Sequence, residues 1–242
     1  MLSSVVLAVV LPVYTFVAGF FGIPWALLTG DSRCLYFLGR LGVRIGFALA
    51  RIRIVTHGLD RLPPSPHFIY MMNHNSNLDA PAVFLKLPGQ VRALGKKELF
   101  KLPVLATAMR LGGFVPVDRS NRDAAIDSVR RAARIAAEGA SFLIAPEGTR
   151  SRTGDLLPFK KGGFHMAIES QVPILPITVV GAFELMPPGA SAIRSGTIQI
   201  FLHEPVDTRG LDIGDRTELM ARVRRPMEET LSRFRSGAGT TL

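Results

Sequence analysis

From Met1 to Gly30 the chain reads MLSSVVLAVVLPVYTFVAGFFGIPWALLTG, without one Asp, Glu, Lys or Arg. At about 1.5 Å per residue, a helix of this length could cross a hydrocarbon core of about 30 Å. Pro12 and Pro24 can each kink it, so the pattern leaves open whether it crosses or reclines. A cleaved secretory signal is the competing reading. The run has no basic residues ahead of it and no clear small-x-small site, and it exceeds the usual apolar stretch of about 7–15 residues.

The next segment, DSRCLYFLGRLGVRIGFALARIRIV, carries Arg33, Arg40, Arg44 and Arg51, spaced as one helical stripe. Leu35, Phe37, Leu38, Leu41, Val43, Ile45, Phe47 and Leu49 form a broad apolar face beside it. Such a helix suits the lipid–water interface, where guanidinium groups reach phosphates. The alternative is a helix packed on a soluble core. Residues 1–50 are therefore expected to form an apolar helical hairpin at the membrane. Its arginines favour keeping the rest of the chain on the cytoplasmic face.

Beyond Arg51 the texture changes to short apolar runs alternating with helical patterns. Strands are predicted at 51–57, 68–72, 91–95, 114–118, 142–145, 174–180 and 197–203, and helices near 81–87, 101–111, 121–138, 162–170 and 213–235. In the helix Asn121 to Glu138, Ser120 or Asn121 can cap the start. Ile126, Val129, Ala133 and Ala137 are predicted to face the sheet, with Arg122, Arg130, Arg131 and Arg134 in water. This alternation predicts an α/β fold over 51–235, with a mixed, mostly parallel sheet flanked by helices and a flexible tail at 236–242. In such sheets chemistry collects at strand ends.

Composition narrows the partners. Hydrophobic residues make up 48% and charged ones 20%, with mean hydropathy +0.27, apolar for a soluble protein. The net charge of +10 permits nucleic acid, an anionic membrane surface, or an acidic substrate or carrier. No helix-turn-helix, zinc-ligand or stacking-aromatic pattern is present, so no specific nucleic-acid partner is expected. The single cysteine, Cys34, excludes an internal disulfide and any multi-cysteine metal site.

Three polar passages follow predicted strands. In NHNSNLDAP (73–81), His74 and Asp79 would lie about 140° apart on a regular helix, so they meet only if the backbone turns. Pro81 disfavours helical geometry at Ala80, which predicts a turn over HNSNLDA and a helix from PAVFLKL. Asp79 could then orient His74 as a base. Equally, Asn77 or Asp79 could be a helix cap and His74 an ordinary loop residue. In GGFVPVDRSN (112–121), Arg119 stands where a strand meets a helix and can grip phosphate. In FLIAPEGTRSRTG (142–154), Glu147 can accept hydroxyl hydrogen bonds, Gly148 permits close approach, and Thr149 and Arg150 can hold an anion. Lys96, Lys97 and Lys101 add positive charge near another strand end.

Asn73-His74-x4-Asp79, Gly113 through Arg119, Pro146 through Arg150, and Val172 through Pro176 occur in this order. Together they resemble the motif set of the glycerolipid acyltransferases, most closely the lysophosphatidic acid acyltransferases, over about residues 70–180. One departure is Ala145, where that family usually has Phe before Pro-Glu-Gly-Thr-Arg. The resemblance implies acyl transfer from acyl-CoA or acyl-carrier protein to the 2-hydroxyl of lysophosphatidic acid, a membrane lipid acceptor. His74 and Asp79 would be catalytic. Lys96, Arg119, Glu147, Gly148, Thr149 and Arg150 would bind substrate. Neither a metal nor a resident cofactor is expected.

Overall fold

The computed structural model describes residues 2–63, 67–118 and 120–236. The expected tail therefore lies, from residue 237 on, outside the described residues. The strands are β1 (Ile52–His57), β2 (Ile69–Met72), β3 (Val91–Lys96), β4 (Val115–Val117), β5 (Ser141–Ile144), β6 (Ile174–Val180) and β7 (Gly196–Leu202). The helices are α1 (Leu2–Thr29), α2 (Arg33–Leu49), α3 (Asp79–Lys86), α4 (Pro103–Leu111), α5 (Arg122–Ala137), α6 (Gly162–Ser170), α7 (Ala182–Leu185) and α8 (Arg216–Arg235).

One seven-stranded sheet runs β1-β7-β6-β2-β5-β3-β4. Only β6 and β7 pair antiparallel; the other neighbours are parallel. A parallel strand covered on both faces should be apolar throughout, and β2, IYMM, is buried at every position. Tyr70 and Met72 face a cluster with Phe47, Ala82 and Leu175. Ile69 and Met71 face another with Ala132 of α5, Phe164 of α6 and Val223 of α8. Pro116 lies in β4, an edge strand, where a missing N–H is tolerated.

α1 is one continuous helix through Pro12 and Pro24, and it packs along α2 and α4. At Gly42 of α2 a Cβ would come within 2.6 Å of the Tyr14 ring, so glycine sets how closely the two helices approach. The Tyr14 hydroxyl donates to Leu38 O at 2.7 Å. The outer side of α1 leaves Val9, Val13, Phe16, Phe20, Trp25 and Leu28 exposed.

Three expectations are corrected. Arg40 does not belong to a lipid-facing stripe. Its Nη2 donates to Leu87 O at 2.7 Å and Gly89 O at 2.6 Å, and its guanidinium lies 5.6 Å from the Phe84 ring centroid. It thus caps the end of α3, because α2 packs against α3 on that side. Tyr36 and Phe47 of the same helix are buried, while Phe37 and Leu49 remain exposed. In α5 the buried stripe is Ser128, Ala132, Ala133 and Ala136. Ile126 and Ala137 are exposed, and the small residues let α5 pack closely on α6. Asn121, rather than Ser120, caps α5, accepting from Asp123 N and Ala124 N. Finally, α3 begins at Asp79, not Pro81. Pro81 occupies a first-turn position whose N–H would have no intrahelical partner, so the missing donor costs nothing there.

His203, just past β7, is hydrogen-bonded through Nε2 to the buried hydroxyl of Thr178 at 2.7 Å. Burial pushes its pKa down to about 4. The fold therefore gives up stability as pH falls from about 6.5 through 4, by about 3 kcal/mol if no other group compensates. Denaturant midpoints measured between pH 7 and pH 4 should fall in the parent chain. They should fall distinctly less in His203→Gln; equal slopes would remove His203 as the cause.

Candidate active site

The site begins one residue past β2. The Asn73 carboxamide donates from Nδ2 to Val179 O at 2.9 Å and accepts from Val179 N at 2.7 Å. A side chain thus adds one more rung between β2 and β6, which fixes where His74 leaves the sheet. The backbone of His74 is held on both sides as well. Its N–H donates to Glu147 Oε1 at 2.6 Å, and its carbonyl accepts from Ser151 N at 2.8 Å.

The turn from His74 to Asp79 closes on one oxygen. Asp79 Oδ2 lies 3.0 Å from His74 Nδ1 and accepts from Asn75 N and Ser76 N, each at 2.7 Å. Ser76 Oγ donates to Met186 O at 2.8 Å, tying the turn to the end of α7. The cap position of α3 is Leu78, with no side-chain cap bond. Asp79 therefore reaches back into the turn instead of capping the helix. With Nδ1–H donated to Asp79, His74 presents the lone pair of Nε2. The imidazole is 20% exposed and Asp79 fully buried, so one ring edge is open to an incoming molecule. Asp79 Oδ1 and Asn75 Oδ1 are buried without a partner among the described residues, a concentration of unpaired polar atoms typical of functional turns.

Glu147 enters from the turn after β5. Its Oε1 accepts from His74 N, and its Oε2 accepts from Leu157 N at 2.8 Å. Burial raises its pKa above the usual carboxylate range, while the N–H groups of Leu157 and His74 oppose that rise. Each oxygen accepts one backbone N–H, so this carboxylate braces His74. Gly148 has φ +68°, and a Cβ there would stand 2.8 Å from Lys160 Cδ. Lys160 thus lies over the turn, with its own N–H bonded to Pro146 O at 2.7 Å. Thr149, exposed, and Arg150, half-buried, continue the same turn.

Strands β2, β5, β3 and β4 are consecutive and parallel, so their carboxyl ends share one edge of the sheet. That edge brings Lys96, at the end of β3, to the same side as His74 and Glu147. Its amine is 3.7 Å from Glu98 Oε2 and well exposed. Lys97 pairs with Asp118 Oδ2 at 2.5 Å, and Ser120 donates twice to Asp118 Oδ1. The Lys97 ammonium, with those bonds from Ser120, holds the Asp118 carboxyl well below the usual carboxylate range. Arg119 lies outside the described residues. Among the described residues no three His, Cys, Asp or Glu side chains converge on a possible metal position. A cavity of about 600 Å³ lies at the opposite end of the sheet, among Tyr70, Arg92 and Ser141, away from His74.

The contributions of Ser151, Leu157 and Lys160 escaped the sequence reading. All three act through backbone N–H groups, which carry no residue signature. Lys160 looks like any solvated lysine beside Lys161.

The fold and site define an α/β protein with an aspartate-oriented histidine at the carboxyl edge of its central strands. The sequence profile of the acyltransferase family matches residues 53–180, and the chain belongs to that family. It is 37% identical over 151 residues to a chloroplastic 1-acyl-sn-glycerol-3-phosphate acyltransferase of Brassica napus, covering 62% of this chain and 44% of that protein. It is 33% identical over 177 residues to the human 1-acyl-sn-glycerol-3-phosphate acyltransferase alpha, covering 73% and 62%. The chain thus spans about half the length of the curated relatives it matches. A crystal structure of the 1-acyl-sn-glycerophosphate (LPA) acyltransferase PlsC from Thermotoga maritima superposes with a TM-score of 0.83 at 25% identity. That match covers 97% of this chain and 95% of the other.

Proposed function

We propose that the chain transfers a fatty acyl group from an acyl thioester, acyl-CoA or acyl-carrier protein, to the 2-hydroxyl of 1-acyl-sn-glycerol 3-phosphate, giving phosphatidic acid. The observation that carries this reading is the 3.0 Å contact between His74 Nδ1 and Asp79 Oδ2, in a chain whose relatives bear that acceptor in their names.

An alcohol attacks a thioester only if its proton has somewhere to go. His74 Nε2 takes the proton from the 2-hydroxyl as the oxygen adds to the thioester carbonyl carbon. The tetrahedral oxyanion then collapses, the carbon–sulfur bond breaks, and the imidazolium protonates the leaving thiolate. Asp79 stabilises that imidazolium throughout. No acyl-enzyme is required; the one cysteine, Cys34, sits in α2. The N–H groups of Asn75 and Ser76 are committed to Asp79, so donors to the oxyanion come from elsewhere. Arg150 and Lys96, with Arg119 following β4, supply positive charge for the acceptor phosphate, which places the 2-hydroxyl near Nε2. Gly148 and Thr149 shape the turn beside them.

The membrane side of this reading rests on α1. Val6–Thr29 is long and apolar enough to cross a bilayer. Its contact with α4, where Gly19 backs onto Val104, would draw α4 in with it. A reclining α1, with its outer face in one leaflet, avoids that. Phe37, Leu99 and Leu102 are further exposed apolar side chains, and the basic surface faces anionic lipid on the cytoplasmic side.

The test is a panel of acceptors assayed with both donors, using full-length protein on vesicles with and without anionic lipid. Fastest turnover is expected with 1-acylglycerol 3-phosphate, with membrane binding stronger on anionic vesicles. Preference for glycerol 3-phosphate, another lysophospholipid or a lyso-aminolipid would overturn the acceptor. Lipid binding without turnover of any acceptor would overturn the enzyme.

A further inference from the structure

Arg224 belongs to α8, outside every motif so far given a role. Its Nη1 donates to Leu157 O at 2.7 Å and its Nη2 to Leu156 O at 3.0 Å. Its Nε pairs with Glu228 at 2.7 Å, and its guanidinium lies 5.1 Å from the Phe159 ring centroid. The segment it grips, 151–161, contains no helix or strand, yet it closes over the catalytic turn. Ser151 N donates to His74 O, Leu157 N to Glu147 Oε2, and Lys160 N to Pro146 O. A segment without its own ladder takes its shape from neighbours, and α8 supplies them. Near the end of α8, Arg235 adds a second hold through Asp155 at 2.6 Å and Gly154 O at 3.2 Å.

We infer that Arg224 is a positioning residue for His74, acting through a relay in which it fixes Leu157, Leu157 N–H fixes Glu147, and Glu147 fixes the His74 peptide. The activity readout rests on the proposed acyl transfer; the relay itself does not. Arginine suits this place because a planar fork can serve two adjacent carbonyls while stacking on a ring, which a lysine ammonium cannot. Without it, Leu157 N–H drifts from Glu147, and the carboxylate loses the first of the two backbone bonds that oppose its burial. The charged groups whose fields reach Glu147 are His74, which lowers its pKa, and Asp79, which raises it. Lys160 lies over the adjoining Gly148. Losing the Leu157 bond moves ionisation of Glu147 to higher pH.

The experiment compares Arg224→Ala, Arg224→Lys and Arg225→Ala in the full chain. Arg225 is exposed and pairs only loosely with Glu229, at 3.7 Å. Arg224→Ala should lower kcat by about 10- to 100-fold with KM little changed. Arg224→Lys should recover part of the loss. Amide hydrogen exchange should quicken at 73–76 and 147–161 while β6 and β7 keep their protection. Arg225→Ala should match the parent. Unchanged exchange at 73–76 would overturn the relay, as would an equal quickening across the sheet or a loss carried by KM with kcat unchanged. If the parent chain transfers no acyl group, the proposed function fails and the exchange pattern alone decides the relay.

Discussion

His74→Ala is expected to lower kcat for acyl transfer by about 10²–10⁴-fold, the usual contribution of a positioned general base. The fold should survive. The bonds that place this residue, to Glu147 and from Ser151, are made by its backbone, so alanine keeps them. The lost imidazole is partly exposed and fills no core. Asp79 retains the N–H groups of Asn75 and Ser76 as partners. The thermal midpoint and vesicle binding should therefore stay near those of the parent while turnover collapses. Turnover equal to the parent's would remove His74 from the chemistry.

Asp79→Asn should be nearly as costly to turnover, on the order of 10²–10⁴-fold, for a different reason. The asparagine oxygen can occupy the Oδ2 position and still accept from the turn, because the opposite orientation would point an amide at three donors. Geometry is then largely kept, but the negative charge that stabilises the imidazolium is gone. The amide NH₂ would occupy the Oδ1 position, which is buried and has no hydrogen-bond partner among the described residues; an unpaired amide there costs about 1–3 kcal/mol. Asp79→Ala goes further, orphaning two buried backbone N–H groups, and should unfold at markedly lower temperature. Because His74 and Asp79 act as one unit, the double variant His74→Ala/Asp79→Asn should turn over no more slowly than His74→Ala alone. Multiplying losses in that comparison would mean that Asp79 works independently of the histidine.

The alternation of strands and helices was legible because β2 and β6 are covered on both faces and so read as nearly continuous apolar runs, with Thr178 the one hydroxyl side chain in β6. The meeting of His74 with Asp79 was legible only as one of two readings of its stretch, made possible by a turn and favoured by the other motifs rather than by its own residues. The arginine stripe of α2 misled because a period shows that side chains share a face, not what that face meets. Arg40 meets two carbonyls at the end of α3. Along α5 the fit selects the small Ser128, Ala132, Ala133 and Ala136; of the four residues expected to face the sheet, Ala133 is among them, while Ile126 and Ala137 are exposed. At four residues, α7 is too short to show any period. The brace on Glu147 was hidden for another reason: its partners are the peptide groups of His74 and Leu157, and any residue but proline carries that donor. Arg224 lies far along the chain from its target, and nothing in its neighbourhood distinguishes it from Arg222 or Arg225.

The bond between Asn73 and Val179 joins residues 106 apart in sequence, and that between His74 and Glu147 joins residues 73 apart. Contacts of such long range form late, after the intervening chain has been made and ordered. During synthesis, at about 5–20 residues per second, α1 emerges several seconds before β6 exists. A nascent chain thus offers its apolar helix to lipid while its histidine is still unplaced. Under the proposed function, competence for chemistry then arrives after that helix has met the surface in which the acceptor would reside.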